Sequence, residues 1–110
     1  MTANMKELKL GPLSAIPLGE GRNFFAFGER IAVFRTRSGQ VFATQAECPH
    51  RAGPLADGLV GGTTLICPLH AWRFDLATGN VLMGDCGVRT FPIHVDEAGE
   101  LVLSLDLKQE

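Results

Sequence analysis

The stretch Arg30-Ile31-Ala32-Val33-Phe34-Arg35-Thr36-Arg37-Ser38-Gly39-Gln40-Val41-Phe42-Ala43-Thr44 decides the fold class. Two short runs rich in Val, Ile and Phe flank Ser38-Gly39, a dipeptide suited to a tight turn. Apolar residues alternate at Ile31 and Val33, then at Val41 and Ala43, as a half-buried antiparallel hairpin requires. The pattern predicts strands over residues 30–35 and 40–44, with another over 22–27 before them.

The rest of the chain repeats this rhythm. Gly11-Pro12, Gly19, Gly21, Gly58, Gly61-Gly62, Thr78-Gly79, Gly84, Gly87 and Gly99 cut it into short pieces. Further strands are expected over 63–67, 72–75, 90–95 and 101–107. The last alternates Leu101, Leu103, Leu105 and Leu107, with Ser104 and Asp106 facing away. No window longer than about ten residues sustains helical periodicity. Short strands separated by glycine turns predict an all-β chain built of small antiparallel sheets. With no internal repeat or linker, residues 1–110 are expected to form one domain.

Composition sets the outer limits. At 45% hydrophobic and 20% charged, the 110 residues match a soluble globular protein with a modest core. Ten basic against twelve acidic side chains give a net charge of −2. There is no basic excess to neutralise a phosphate backbone, which argues against nucleic acid as a partner. No segment reaches the roughly 18 apolar residues of a membrane span, and charged Lys6, Glu7 and Lys9 break up the N-terminus. A cytoplasmic, reducing location is therefore expected, where an odd count of three cysteines does not form a disulfide framework. The thiols are free or hold a metal.

Two cysteines and two histidines fall in paired motifs. Cys48-Pro49-His50 is followed, sixteen residues on, by Cys67-Pro68-Leu69-His70. Each motif follows a predicted strand, ending near Gln45 and Ile66, so the four side chains sit on two loops at the end of a rigid sheet. Two chemistries suit two thiolates and two imidazoles: a tetrahedral structural zinc, or a [2Fe–2S] cluster with histidine in place of cysteine on one iron. Zinc sites commonly group cysteine with cysteine and histidine with histidine. Here each loop offers one of each, which suits two bridged metal atoms better than one.

The segments Cys48-Pro49-His50-Arg51-Ala52-Gly53-Pro54-Leu55 and Cys67-Pro68-Leu69-His70-Ala71-Trp72-Arg73-Phe74-Asp75 closely resemble the two cluster-binding loops of Rieske proteins. The likeness continues through Thr78-Gly79 and Phe91-Pro92-Ile93 and covers the chain from about Arg22 to Leu105. It implies a Rieske fold of three small antiparallel sheets with two cluster-binding loops at one end. It also implies a Rieske-type [2Fe–2S] cofactor, with Cys48 and Cys67 on the inner iron and His50 and His70 on the outer one. Respiratory members of the family join the loops by a disulfide at the positions that here are Gly53 and Leu69. They also place hydroxyls near cluster sulfur where this chain has Trp72 and Phe74. Fewer hydrogen bonds to sulfur favour the oxidised state. The resemblance thus implies the low end of the Rieske range, around −150 mV, as in ferredoxins of dioxygenase systems.

What the chain lacks narrows the role. Beyond His50 and His70 only His94 remains, too few side chains for a mononuclear two-histidine iron site. No G-x-G-x-x-G fingerprint is present for a dinucleotide. The expected function is a soluble one-electron carrier, not an enzyme by itself. It relays electrons from an NAD(P)H-dependent flavoprotein reductase to a terminal oxygenase. Two alternatives stay open: the Rieske-type small subunit of an assimilatory nitrite reductase, which the chain also resembles, and a zinc-stabilised binding module.

Other residues carry smaller expectations. His94 is expected on the solvent face of its strand and Cys86 as a free loop thiol. Trp72 either shields the cluster or anchors a partner. Arg51 and Arg73 are either solvated charges or steer an acidic docking surface. Pro49 and Pro68 are expected to stiffen the loops.

Overall fold

The computed structural model describes residues 5–49, 53–69 and 71–106. Eleven strands run through them: β1 (Met5–Pro12), β2 (Glu20–Ala26), β3 (Glu29–Arg35), β4 (Val41–Gln45), β5 (Leu59–Gly61), β6 (Thr64–Ile66), β7 (Arg73–Asp75), β8 (Val81–Met83), β9 (Thr90–Phe91), β10 (Ile93–Val95) and β11 (Glu100–Asp106). They form three antiparallel sheets, ordered β1-β11-β10, β2-β3-β4-β9 and β5-β6-β7-β8. Among the described residues, helix is confined to two single 3-10 turns, Leu13–Ala15 and Leu55–Asp57. No helix there is long and apolar enough to cross a membrane. The expected all-β fold of small antiparallel sheets is the fold observed.

The expected hairpin forms, with β3 and β4 paired from Ile31↔Gln45 to Arg35↔Val41. Its burial differs from the expectation. Ile31, Ala32, Val33 and Phe34 are all fully buried, so β3 is covered on both faces. Ile31 and Val33 pack with Ala43, Phe91, Leu101 and Leu103 against the β1-β11-β10 sheet. Ala32 and Phe34, on the opposite face, pack with Leu55, Leu65, Phe74 and Leu76 against the β5–β8 sheet. The central sheet therefore separates two cores, because successive side chains of a strand point to opposite faces. Each buried Val, Leu, Ile or Phe among them contributes about 1.5–3 kcal/mol.

Residues 90–95 do not form the single strand expected. Pro92 divides them: β9 pairs with β4, whereas β10 pairs with β11. Proline has no N–H for a ladder, and its carbonyl instead accepts the Ser104 N–H at 2.9 Å. The chain thus changes sheet at Pro92. Ser104, expected to face away from the core, is buried there.

Candidate metal centre

Two matched loops extend from the ends of these sheets. After β4, Glu47 forms an isolated bridge with Pro54, and the Cys48 N–H donates to the Gly53 carbonyl at 2.8 Å. After β6, Ile66 pairs with Arg73, and the Cys67 N–H donates to the Trp72 carbonyl at 2.7 Å. Each cysteine therefore opens a six-residue loop closed by the same backbone bond, with a proline directly after it. Both cysteines follow the strands expected to carry them.

The first loop is tied to its neighbours by Gln45. Its side-chain amide donates to the Glu47 carbonyl at 2.8 Å, and its oxygen accepts the Arg89 N–H at 2.8 Å. The Leu55 N–H donates to the Ala46 carbonyl at 3.0 Å from the other side. In the second loop Ala71 has φ 57°. That left-handed conformation, costly for a residue with a Cβ, turns the chain back so that Trp72 can close the ring.

Cys48 and Cys67 are each 2% exposed and belong to one core cluster with Leu55, Leu65, Phe74 and Leu76. Burial pushes the Cys67 thiol up. The Leu69 N–H, donating to its sulfur at 3.4 Å, pulls the other way, and the neighbouring Cys48 thiol adds to the rise. Two sulfurs held together in an apolar pocket resist becoming a pair of thiolates unless a cation lies between them. That donor set fits a thiophilic metal. Among the described residues no third His, Cys, Asp or Glu joins them. The other expected donors, His50 and His70, lie outside the described residues.

The walls of the site are apolar. Trp72 is half-buried, its ring tilted 54° to that of Phe74 with centroids 6.4 Å apart. Gly84 lies flat against the indole: a methyl there would come within 2.5 Å of Trp72 Cδ2 and Cε3. Trp72 is thus packed against the 84–87 turn and against the core cluster that holds both cysteines. Beside Cys67 runs an open groove of about 510 Å³ lined by Asp57, Leu59, Ile66, Cys67, Pro68 and Ala71. Cys86 and His94 are exposed, as expected, and stand apart from the buried cysteines. Sequence reasoning did not single out Gln45, Gly84 or the groove. Their roles depend on contacts between segments far apart in the chain.

Comparison with known proteins agrees with this arrangement. Residues 6–92 match the Rieske [2Fe–2S] domain family. The ferredoxin component of a naphthalene 1,2-dioxygenase system from Pseudomonas aeruginosa is 31% identical over 86 residues, covering 76% of this chain and 82% of that protein. The 4beta-methylsterol monooxygenase of Methylococcus capsulatus is 35% identical over 78 residues, 61% of this chain. The chain spans only 21% of that enzyme's length, so the likeness is to one stretch of it. The ferredoxin of carbazole 1,9a-dioxygenase from Nocardioides aromaticivorans superposes with a TM-score of 0.80 at 26% identity, covering 89% of this chain and 96% of that one. A ferredoxin solved in complex with the oxygenase of a carbazole 1,9a-dioxygenase gives 0.76 at 29%, covering 87% and 99%. A Mycobacterium tuberculosis protein described as an NADH-dependent nitrite reductase small subunit shares the fold, with a TM-score of 0.84 at 21% identity over 92% and 96% of the two chains.

Proposed function

The chain belongs to the Rieske [2Fe–2S] domain family, and from that membership we propose that it is a soluble, cytoplasmic one-electron carrier formed as a single domain. Cys48, His50, Cys67 and His70 hold the Rieske-type [2Fe–2S] cluster, the two thiolates from the buried pocket they share. Electrons come from an NAD(P)H-dependent flavoprotein reductase and pass to a terminal oxygenase. The observation that carries this reading is the burial of Cys48 and Cys67 together at the mouths of two matched loops. The ferredoxin relatives support it, because this chain spans most of their length.

The bound cluster supplies a reversible one-electron step. The chain's own residues keep water from the sulfurs (Leu55, Phe74 and Trp72) and fix the loops through Gln45, Pro49 and Pro68. A rigid, water-poor setting limits reorganisation when the cluster changes charge.

The test is visible absorption and low-temperature EPR of protein purified without oxygen and reduced with dithionite. A red-brown protein whose average g value lies below that of all-cysteine clusters is the expected result. A colourless protein with stoichiometric zinc would make the chain a zinc-stabilised binding module. A second reading is the small subunit of an assimilatory nitrite reductase, since a protein described as such a subunit has the same fold. Co-purification with a large sirohaem protein would establish that assignment.

A further inference from the structure

The β5–β8 sheet has one face turned to the core and one turned outward. Across it, Val60, Leu65, Phe74 and Val81 align and pack with the buried cysteines. The adjacent row, Leu59↔Ile66↔Arg73↔Met83, faces the other way. Leu59 is 70% exposed and Met83 57%, although both sit on strands that pack against the core. The irregularity between Arg73 and Phe74 leaves Leu82 unpaired beside Met83, and it too is exposed. Ile66 of this row directly precedes Cys67, and Leu59 and Ile66 line the groove that Cys67 also lines.

One charge lies in the row. Arg22, Arg30 and Arg89 have carboxylates at 3.0, 3.9 and 3.4 Å. Arg73 is exposed and has none within 4.0 Å among the described residues. Asp75, two positions on along the same strand face, is occupied by its own turn, where its carboxylate accepts the Ala77 N–H and the Thr78 hydroxyl. Asp57 lines the groove together with Leu59 and Ile66 and has no ion pair with Arg73 within 4.0 Å. A cation with no carboxylate within 4.0 Å among the described residues, set among exposed Leu and Met side chains, has the make-up of an interface core that an anion completes.

We infer that the Leu59–Ile66–Arg73–Met83 row is the docking face for a redox partner protein that presents a carboxylate to Arg73, flanked by apolar side chains over Leu59 and Met83. This rests on the electron-carrier reading. It adds to that reading the side of the cluster from which the partner approaches and the chemistry of the partner's surface. Exchange across the face moves one electron between two metal centres; no bond forms and no proton is required.

A strongly acidic plant-type [2Fe–2S] ferredoxin serves as the probe, because its potential lies below the Rieske range and transfer to this protein runs downhill. Stopped-flow mixing of that ferredoxin, reduced, with the oxidised holoprotein gives the second-order rate. Arg73→Glu is expected to slow it about tenfold at low salt, with the difference closing at high salt as screening takes over. Arg73→Lys retains most of the rate. Leu59→Gln and Met83→Gln slow transfer several-fold at every ionic strength, whereas Leu8→Gln, on the far sheet, changes nothing. An Arg73→Glu rate equal to the wild-type rate at low salt overturns the proposal. So does a concentration-dependent dimer dissolved by Leu59→Gln, which would assign the face to a second copy. Wild type that dithionite reduces but that takes no electron from the ferredoxin removes this docking face and leaves the carrier standing. Absence of any dithionite-reduced signal removes the carrier itself.

Discussion

Gly53 and Leu69 meet across the two loops: a methyl placed on Gly53 would lie 3.0 Å from Leu69 Cδ1 and 3.3 Å from the Cys67 sulfur. These are the positions that a disulfide joins in respiratory members of the family, and here an apolar contact fills the same gap. The backbone of Gly53 lies outside the left-handed region, so an alanine there is limited by space alone. Gly53→Ala is expected to cost about 1–3 kcal/mol by overpacking, read as a lowered urea midpoint. Leu69→Ala opens the same gap to water. Two ferric ions, two sulfides and two thiolates sum to zero charge, and the reduced centre carries one negative charge, so added water favours reduction. The midpoint should rise by tens of millivolts, where about 59 mV is a tenfold change for one electron. An unchanged potential with faster unfolding would reduce Leu69 to ordinary packing.

Phe74 offers a second handle on the potential. It is fully buried in the core cluster that holds both cysteines, and it stands where respiratory relatives place a hydroxyl. Phe74→Tyr is expected to raise the midpoint by tens of millivolts if the new O–H donates to sulfur, since a hydrogen bond to a charged acceptor is worth about 1.5–3 kcal/mol. An EPR-monitored redox titration decides it. A midpoint that stays near the low end, around −150 mV, would mean that the hydroxyl points elsewhere.

Much of this architecture is legible in the sequence, and the gaps have physical causes. The β3–β4 hairpin announces itself through Ser38-Gly39 and alternating apolar residues. Yet alternation at Ile31 and Val33 cannot reveal that Ala32 and Phe34 face a second core. The charges at Lys6, Glu7 and Lys9 disguise β1, which is held by backbone pairing to β11 through seven residue pairs from Met5↔Asp106 to Pro12↔Glu100. Three-residue strands such as β5 and β8 are too short to show a period. At the site, cysteine spacing marks Cys48 and Cys67, because metal chemistry restricts the residue types. Gln45 and Gly84 carry no such mark, since an amide clamp and a flat backbone face matter only once distant segments have met.

Asp96 makes the fold sensitive to acid in a way that can be isolated. The Glu100 N–H, donating at 2.9 Å, holds its carboxyl below the usual range, with the Ala98 N–H and the Lys9 ammonium acting in the same direction. A depressed native pKa means that the unfolded chain binds the proton more readily. The contribution is therefore complete above the unfolded value, roughly 3.9, and is lost as pH falls through the lower native value. Asp96→Asn keeps the acceptor oxygen and removes the charge. Its stability deficit against wild type should be present at pH 7 and shrink towards pH 3 in paired urea melts. A deficit that stays constant with pH would show that the charge has no part in closing the β10–β11 turn.

The ligand assignment separates cleanly from the other cysteine and histidine. Cys86 is exposed in the 84–87 turn and His94 is exposed on β10, whereas Cys48 and Cys67 share a buried pocket. Cys86→Ser and His94→Ala are expected to leave iron content and the reduced EPR signal unchanged. Cys48→Ser and Cys67→Ser should abolish both, because each removes a thiolate from a pocket with no third donor among the described residues. His50→Ala and His70→Ala should do the same. His70→Cys should instead shift the signal towards that of an all-thiolate cluster, since the ligand is exchanged and not removed. Iron retained in full by either buried-cysteine variant would reject the assignment, whatever the protein's colour, because two loops holding one thiolate between them cannot bind a Rieske centre.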